Sequence, residues 1–191
     1  SAQGGKTVGS GNSGVTVGNI TVSRNTADTF TLGKTSETGK ITFNGGGAGT
    51  GIFMTNDSKA TMIIASNIVL YTTSSNAGQL PLSIDHNGTG LLLINGNIEG
   101  MQGVYKTGTG TLVLNGQNRF AYGFNQEGGT TQVGVDGTFA SGPLGVGEVV
   151  LKGGTLEAIN GVRDLAGNTL AFDGTIKIKG DLSFSGTGNA K

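Results

Sequence analysis

The adjacent acid and base Asp85 and His86 are the side chains best suited to proton transfer, and His86 is the only histidine of the chain. An imidazole titrates near neutrality and could serve as a general base. Adjacent residues of a strand point to opposite faces, however, so these two side chains can meet only in a turn. The serine-nucleophile pattern Gly-x-Ser-x-Gly does not occur in the sequence. We therefore favour an ordinary turn histidine over a catalytic one.

The acidic residues are the other candidates for chemistry, because glycoside cleavage needs two carboxyl groups within about 5 to 9.5 Å. The chain has 12 of them, spread almost evenly, and none forms an Asp-Asp or Asp-x-Asp pair. Carboxylates on neighbouring strands could still converge, but we expect them to be solvated surface groups. The sequence therefore predicts no catalytic residue, no cofactor and no metal site. A polysaccharide-degrading enzyme is the least favoured function.

Composition points to a repetitive protein without a nucleic-acid partner. Of the 191 residues 38 are glycine and 2 are proline, without the strict third-residue glycine of collagen. Hydrophobic residues make up 35% and the formal net charge is zero, a combination that is untypical of disordered chains. Nucleic-acid binding would require clustered basic residues, whereas Lys177 and Lys179 fit a solvated strand face. The absence of cysteine excludes disulfides and thiolate metal sites.

Short apolar triplets, in which the outer two residues are apolar, recur along the whole chain and indicate the elements that position these side chains. Successive side chains of a strand alternate between faces, so the outer residues of each triplet share one face. The triplets occupy residues 20–22, 30–32, 41–43, 52–54, 62–64, 68–70, 82–84, 92–94, 112–114, 149–151, 170–172, 176–178 and 182–184. Gly, Asn, Asp and Ser fill the gaps and are typical of tight turns.

Many short strands permit a sandwich, a barrel or a solenoid. Residues 160–170 are the best helical candidate, although glycine interrupts nearly every helical pattern. Self-similarity at about twenty residues, or two strands and two turns, favours a coil that stacks on its own copy. We therefore predict an all-β fold, a right-handed parallel β-helix (β-solenoid) of eight or nine coils. It would form one domain over residues 1–191, with Leu92 and Leu112 on neighbouring coils.

The repeat is clearest where HNGTGLLLINGN at 86–97 aligns with KTGTGTLVLNGQN at 106–118. The second copy continues as GGTTQV at 128–133 and GPLGVGEVVLKGGTLE at 142–157. Over residues 105–158 this pattern resembles the passenger-associated transport repeat, or autotransporter-associated β-strand repeat, of bacterial autotransporter passenger domains. One departure is that Phe120 takes the place of the usual tyrosine, and residues 121–127 look like a small insertion.

The resemblance implies a β-helical stalk that is secreted or displayed on the bacterial cell surface, linked with export across the outer membrane, and without catalytic residues in the repeat. No membrane span is expected, because the longest apolar run is only residues 91–94. The chain reaches Gly186-Thr187-Gly188, the opening of another repeat. We read this as either a fragment of a longer passenger or a subunit that associates head to tail in a filament.

A group of aromatic residues offers the second functional hypothesis. Phe120, Tyr122 and Phe124 cluster around the apparent insertion and could stack on a glycan or a host surface protein, which would make the chain an adhesin module. Burial of these rings beneath the loop is the competing interpretation. The favoured function remains an exported, non-catalytic structural stalk or scaffold.

Overall fold

The computed structural model describes residues 6–8, 14–33, 38–43, 50–56, 58–70 and 81–183, and this part of the chain contains strands and no helix. The strands, in chain order, are Lys6–Val8 (β1), Val15–Val17 (β2), Asn19–Val22 (β3), Thr29–Leu32 (β4), Ile41–Phe43 (β5), Gly51–Met54 (β6), Thr61–Ile64 (β7), Ile68–Leu70 (β8), Leu82–His86 (β9), Leu91–Ile94 (β10), Ile98–Gly100 (β11), Val104–Thr107 (β12), Thr111–Leu114 (β13), Arg119–Phe120 (β14), Phe124–Gln126 (β15), Thr130–Val133 (β16), Val149–Ala158 (β17), Arg163–Asp164 (β18), Leu170–Lys179 (β19) and Leu182–Ser183 (β20).

As far as β16, each strand pairs in parallel with the strand three places along the chain, and this pairing sorts the strands into three rows. The first row is β1-β4-β7-β10-β13-β16-β17, the second is β2-β5-β8-β11-β14, and the third is β3-β6-β9-β12-β15-β17. The two halves of β17 pair with β15 and with β16, so this strand joins the first and third rows. Beyond it, β19 pairs along β17 and β20 pairs with β18. The architecture is therefore all-β, parallel and repeat-like.

Leu92 pairs in register with Leu112, as the sequence predicts, and the pairing is parallel. Neighbouring parallel strands lie about 4.8 Å apart, so like residues stack directly on one another. The separation in residue number between stacked positions varies, from 19 for Thr111 and Thr130 to 32 for Phe30 and Met62. The strands stay in register, so the segments that connect them must differ in length.

The inward residues of the three rows form one apolar core. In β10 the burial alternates, so that Leu92 and Ile94 have no exposed surface while Leu91 is 39% exposed. The triplets supply most of this core because period-two alternation places both outer residues on the same side. Its fully buried members include Ile52, Ile64, Ile68, Leu82, Ile84, Ile98, Leu112, Leu114, Phe120, Phe124, Val149 and Leu151.

Glycines at the corners allow the closest approaches between neighbouring turns of the chain. Gly154 lies between the two halves of β17, where the chain passes from the third row to the first. Its φ is +87°, a conformation that residues with a side chain rarely adopt. At Gly90, just before β10, an added Cβ would lie 1.9 Å from the Ala60 carbonyl oxygen. The glycine content of the sequence is thus partly a packing requirement.

The structure contains no helix at the one candidate segment and differs from the sequence-based expectation in two other details. Residues 160–170 contain the short strand β18 and no helix. Residues 121–127 contain β15, which pairs in register with β12, and are not an insertion. The repeating unit has three strands, because β11 and β12 lie between β10 and β13, and not two.

Adjacent leucines give a matched test of this core. We expect Leu92→Ala to lower the free energy of unfolding by about 2–5 kcal/mol, because it removes buried methyl groups and leaves a cavity. Leu91→Ala changes the same residue type on the outward face and should cost less than about 1 kcal/mol. Chemical denaturation of both variants checks the result. Equal losses would contradict the inward assignment of Leu92.

Candidate functional site

The three aromatic residues predicted to bind a partner do not share a surface. Phe120 and Phe124 have no exposed area, and both belong to the apolar core. Phe124 stacks in register between Val104 and Val149. Tyr122 is 50% exposed and is the member of the trio that can offer area to a ligand. Of the three aromatic residues, Tyr122 is therefore the one that could contact a partner.

Asp85 and His86 point to opposite sides of β9. His86 is fully buried, whereas Asp85 lies half-buried on the outer face. The His86 Nε2 atom lies 3.0 Å from the Gly90 carbonyl oxygen, and Nδ1 has no hydrogen-bond partner. The expectation of a turn histidine is wrong, since His86 ends a strand, while the opposed directions follow from strand alternation. The two residues are not an acid–base pair.

Buried polar side chains on three neighbouring strands of the third row form a feature that the sequence pattern does not reveal. We call His86, Lys106 and Gln126 the buried polar column; none has exposed surface. Lys106 Nζ donates to the Thr107 carbonyl oxygen at 2.6 Å and the Gly108 carbonyl oxygen at 3.2 Å. Gln126 Nε2 donates to the Gly153 carbonyl oxygen at 2.8 Å. Backbone carbonyls at the corners therefore satisfy most of these donors.

Burial controls the charge states of the column. Burial lowers the pKa of Lys106 to about 8, against a smaller opposing effect of the Asp85 carboxylate. Burial, and then the charge of Lys106, lowers the pKa of His86 to about 4. His86 is therefore neutral at pH 7, whereas Lys106 is mostly protonated. Because these groups are closed off from solvent, they act on the stability of the fold and do not contact a dissolved substrate.

On the outer surface, the carboxylates that have side-chain partners are paired with hydroxyl, amide or cationic groups. They are not paired with one another. Glu127 accepts from the Tyr105 hydroxyl at 2.6 Å and from Lys152 Nζ at 2.9 Å. Asp136 lies 3.5 Å from the Arg163 guanidinium. Lys177 and Lys179 are exposed, as a solvated strand face requires. Within the described ranges, no group of three or more His, Cys, Asp or Glu residues is placed to hold a metal ion.

An open cavity of about 480 Å³ lies on the outer side of the third row, where β6 and β9 end. We call it the Phe53 groove, and it is lined by Phe53, Met54, Thr55, Asn56, Asp85 and Asn87. Asp85 Oδ1 accepts from Asn87 Nδ2 at 2.7 Å and from Thr107 Oγ1 at 3.1 Å. Phe53 and Asp85 are paired across β6 and β9, although they are 32 positions apart in the sequence. The groove is the candidate ligand site of the described surface.

Among the residues that the structure covers, no helix has the length and apolar character needed to cross a membrane. No protein-family model, curated protein or solved structure matches the chain. The resemblance of residues 105–158 to the passenger-associated transport repeat therefore depends on the residues quoted for it.

Proposed function

We propose that the chain is a right-handed parallel β-solenoid that serves as an exported, non-catalytic stalk or scaffold, secreted or displayed at the bacterial cell surface. One observation carries the proposal: from β1 to β16 every third strand pairs in parallel and in register, and β17 and β19 add further parallel pairing at the end of this stack. Such pairing stacks each turn of the solenoid on the previous one, so that the length of the stack increases with the number of repeats. The resemblance to autotransporter passenger repeats supports export.

The arrangement suits a spacer because its strand pairing is between nearest neighbours. Each turn contributes apolar residues to one core, and the backbone hydrogen bonds run between successive strands of a row. With strands about 4.8 Å apart, the eight levels of the first row, counting β19, span roughly 34 Å. The stack of strands needs no disulfide, which agrees with the absence of cysteine. In this proposal length is set by the number of turns and not by a unique site.

Removal of one complete turn tests the proposal. Residues 91–110 run from the start of β10 to the residue before β13, and deleting them joins Gly90 to Thr111 at the position that Leu91 occupies. We expect the shortened chain to unfold cooperatively, because β7 can then pair with β13 and β9 with β15. Deleting residues 91–100 alone removes two strands of a three-strand unit and should prevent folding. Circular dichroism and thermal unfolding compare the two deletions.

Display and assembly are measured with the whole chain. Placed between a signal peptide and an outer-membrane barrel, the chain and its 91–110 deletion should both be reached by protease added to intact cells. Retention of both inside the cell would count against the exported scaffold. Sedimentation over a range of concentrations tests head-to-tail self-association, and a strictly monomeric chain would remove the filament version.

A further inference from the structure

The Phe53 groove combines an aromatic ring with polar groups on the outer face of the third row. A Cβ added at Gly51 would lie 2.9 Å from Phe53 Cζ. The Phe53 ring therefore lies over Gly51, in space that a side chain at position 51 would occupy. Phe53 lines the cavity together with Thr55 and Asn56, which follow it in the chain. An aromatic ring held beside an open cavity provides an apolar wall for a ligand.

The polar lining of the groove both donates and accepts hydrogen bonds. Asp85 is held in place by Asn87 Nδ2 and Thr107 Oγ1, which both donate to Oδ1. Asn56 and Asn87 add amide oxygens and nitrogens, which accept and donate respectively. These groove residues therefore suit a ligand with hydroxyl groups, because each hydroxyl can both donate and accept a hydrogen bond.

Charge and size narrow the ligand class. Among the described residues that line the groove there is one carboxylate and no lysine or arginine, which disfavours phosphates, sulfates and acidic sugars. The volume of about 480 Å³ falls within the range of roughly 300–1,000 Å³ that is usual for small-ligand pockets. A pyranose ring presents an apolar C–H face for stacking and a rim of hydroxyl groups. We propose that the Phe53 groove binds a neutral oligosaccharide, with Phe53 as the stacking platform and Asp85 as the acceptor for sugar hydroxyls.

The experiment is titration calorimetry of the full chain with cellohexaose, maltohexaose, xylohexaose and mannohexaose, and with hexagalacturonate as the acidic comparison. We expect at least one neutral hexasaccharide to bind more tightly than the acidic one. Phe53→Ala should weaken that binding by roughly tenfold or more, because the stacking surface is lost. Asp85→Asn, which keeps the shape of the side chain, should weaken it by several fold.

Two controls separate the ligand site from the fold and from the scaffold function. Tyr122→Ala removes an exposed aromatic side chain outside the groove and should leave the affinity unchanged. Thermal unfolding and cell-surface display of the Phe53→Ala chain should match those of the parent chain, since Phe53 points outward. No binding to any neutral hexasaccharide at millimolar concentration would overturn the proposal. So would tighter binding of hexagalacturonate, or affinity unaffected by both groove substitutions.

Discussion

Gly90→Ala is expected to lower the free energy of unfolding by about 3 kcal/mol or more, enough to unfold much of a marginally stable chain. The new Cβ would lie 1.9 Å from the Ala60 carbonyl oxygen and 2.5 Å from the Ala60 carbonyl carbon. These atoms belong to the backbone of the neighbouring turn, so no side-chain rotation relieves the contact. The two turns must separate, which also weakens the pairing of β10 with β7. Urea denaturation measures the loss.

Two other glycines provide matched controls for the Gly90 substitution. A Cβ at Gly18 meets no atom within 4 Å and the residue has no positive φ, so Gly18→Ala should be neutral or slightly stabilising. Gly161 has φ +105° with free space around it, so Gly161→Ala isolates the conformational cost of about 1–2 kcal/mol. If Gly90→Ala behaved like Gly18→Ala, the close stacking of the two turns would be wrong.

Acidification from pH 6.5 to pH 4 is expected to remove about 3 kcal/mol of stability through His86 alone. The pKa of His86 is lowered from 6.5 to about 4 in the folded chain by burial and by the charge of Lys106. The unfolded chain therefore takes up the proton first as the pH falls, and unfolding becomes more favourable. The contribution of neutral His86 to the free energy of unfolding is complete above pH 6.5, declines below pH 6.5 and is lost by about pH 4. Lys106 keeps its proton throughout this range, since its pKa is about 8.

The contribution of His86 is isolated by comparison with His86→Gln, which keeps a polar side chain but does not titrate. Denaturation at several pH values should show the parent chain losing about 3 kcal/mol more than the variant between pH 6.5 and 4. The carboxylates titrate in both chains, so their contributions cancel in the difference. Parallel curves for the two proteins would contradict the lowered pKa.

The strands with aliphatic residues at both inward positions could be predicted from the sequence. In β10 and β13 the alternation is clear, and the aligned asparagine–glycine pairs that follow them fixed the register of Leu92 on Leu112. The same regularity predicted the triplet strands along the rest of the described chain. In these segments local pattern and tertiary packing require the same residues, which is why the sequence is sufficient.

Three strands that escaped prediction, β11, β12 and β15, have polar or small residues pointing inward. In β11 the inward position stacked on Leu70 is Gly100, in β12 it is Lys106, and in β15 it is Gln126. Their burial depends on carbonyl groups of neighbouring turns, and strand periodicity contains no signal for that. The unit therefore looked like two strands when it contains three, and β15 looked like an insertion.

The Phe53 groove was hidden for a different reason. Phe53 and Asp85 become neighbours only through the register of β6 and β9, whose separation of 32 residues differs from the 20 residues of the clear repeat. A fixed repeat length applied to the sequence places Phe53 beside other residues. The number of residues between paired strands differs from one pair to the next, and the pattern of the strands does not give that number.

The unequal turn lengths also imply an order of assembly during folding. Neighbouring strands in β10, β13 and β16 are 20 and 19 residues apart, whereas β4 and β7 are 32 apart. Loop-closure entropy grows with the logarithm of the loop length, so each shorter closure is favoured by about 0.4 kcal/mol. The segment from Leu91 to Val133 is therefore the natural nucleus, from which pairing propagates toward both ends of the chain.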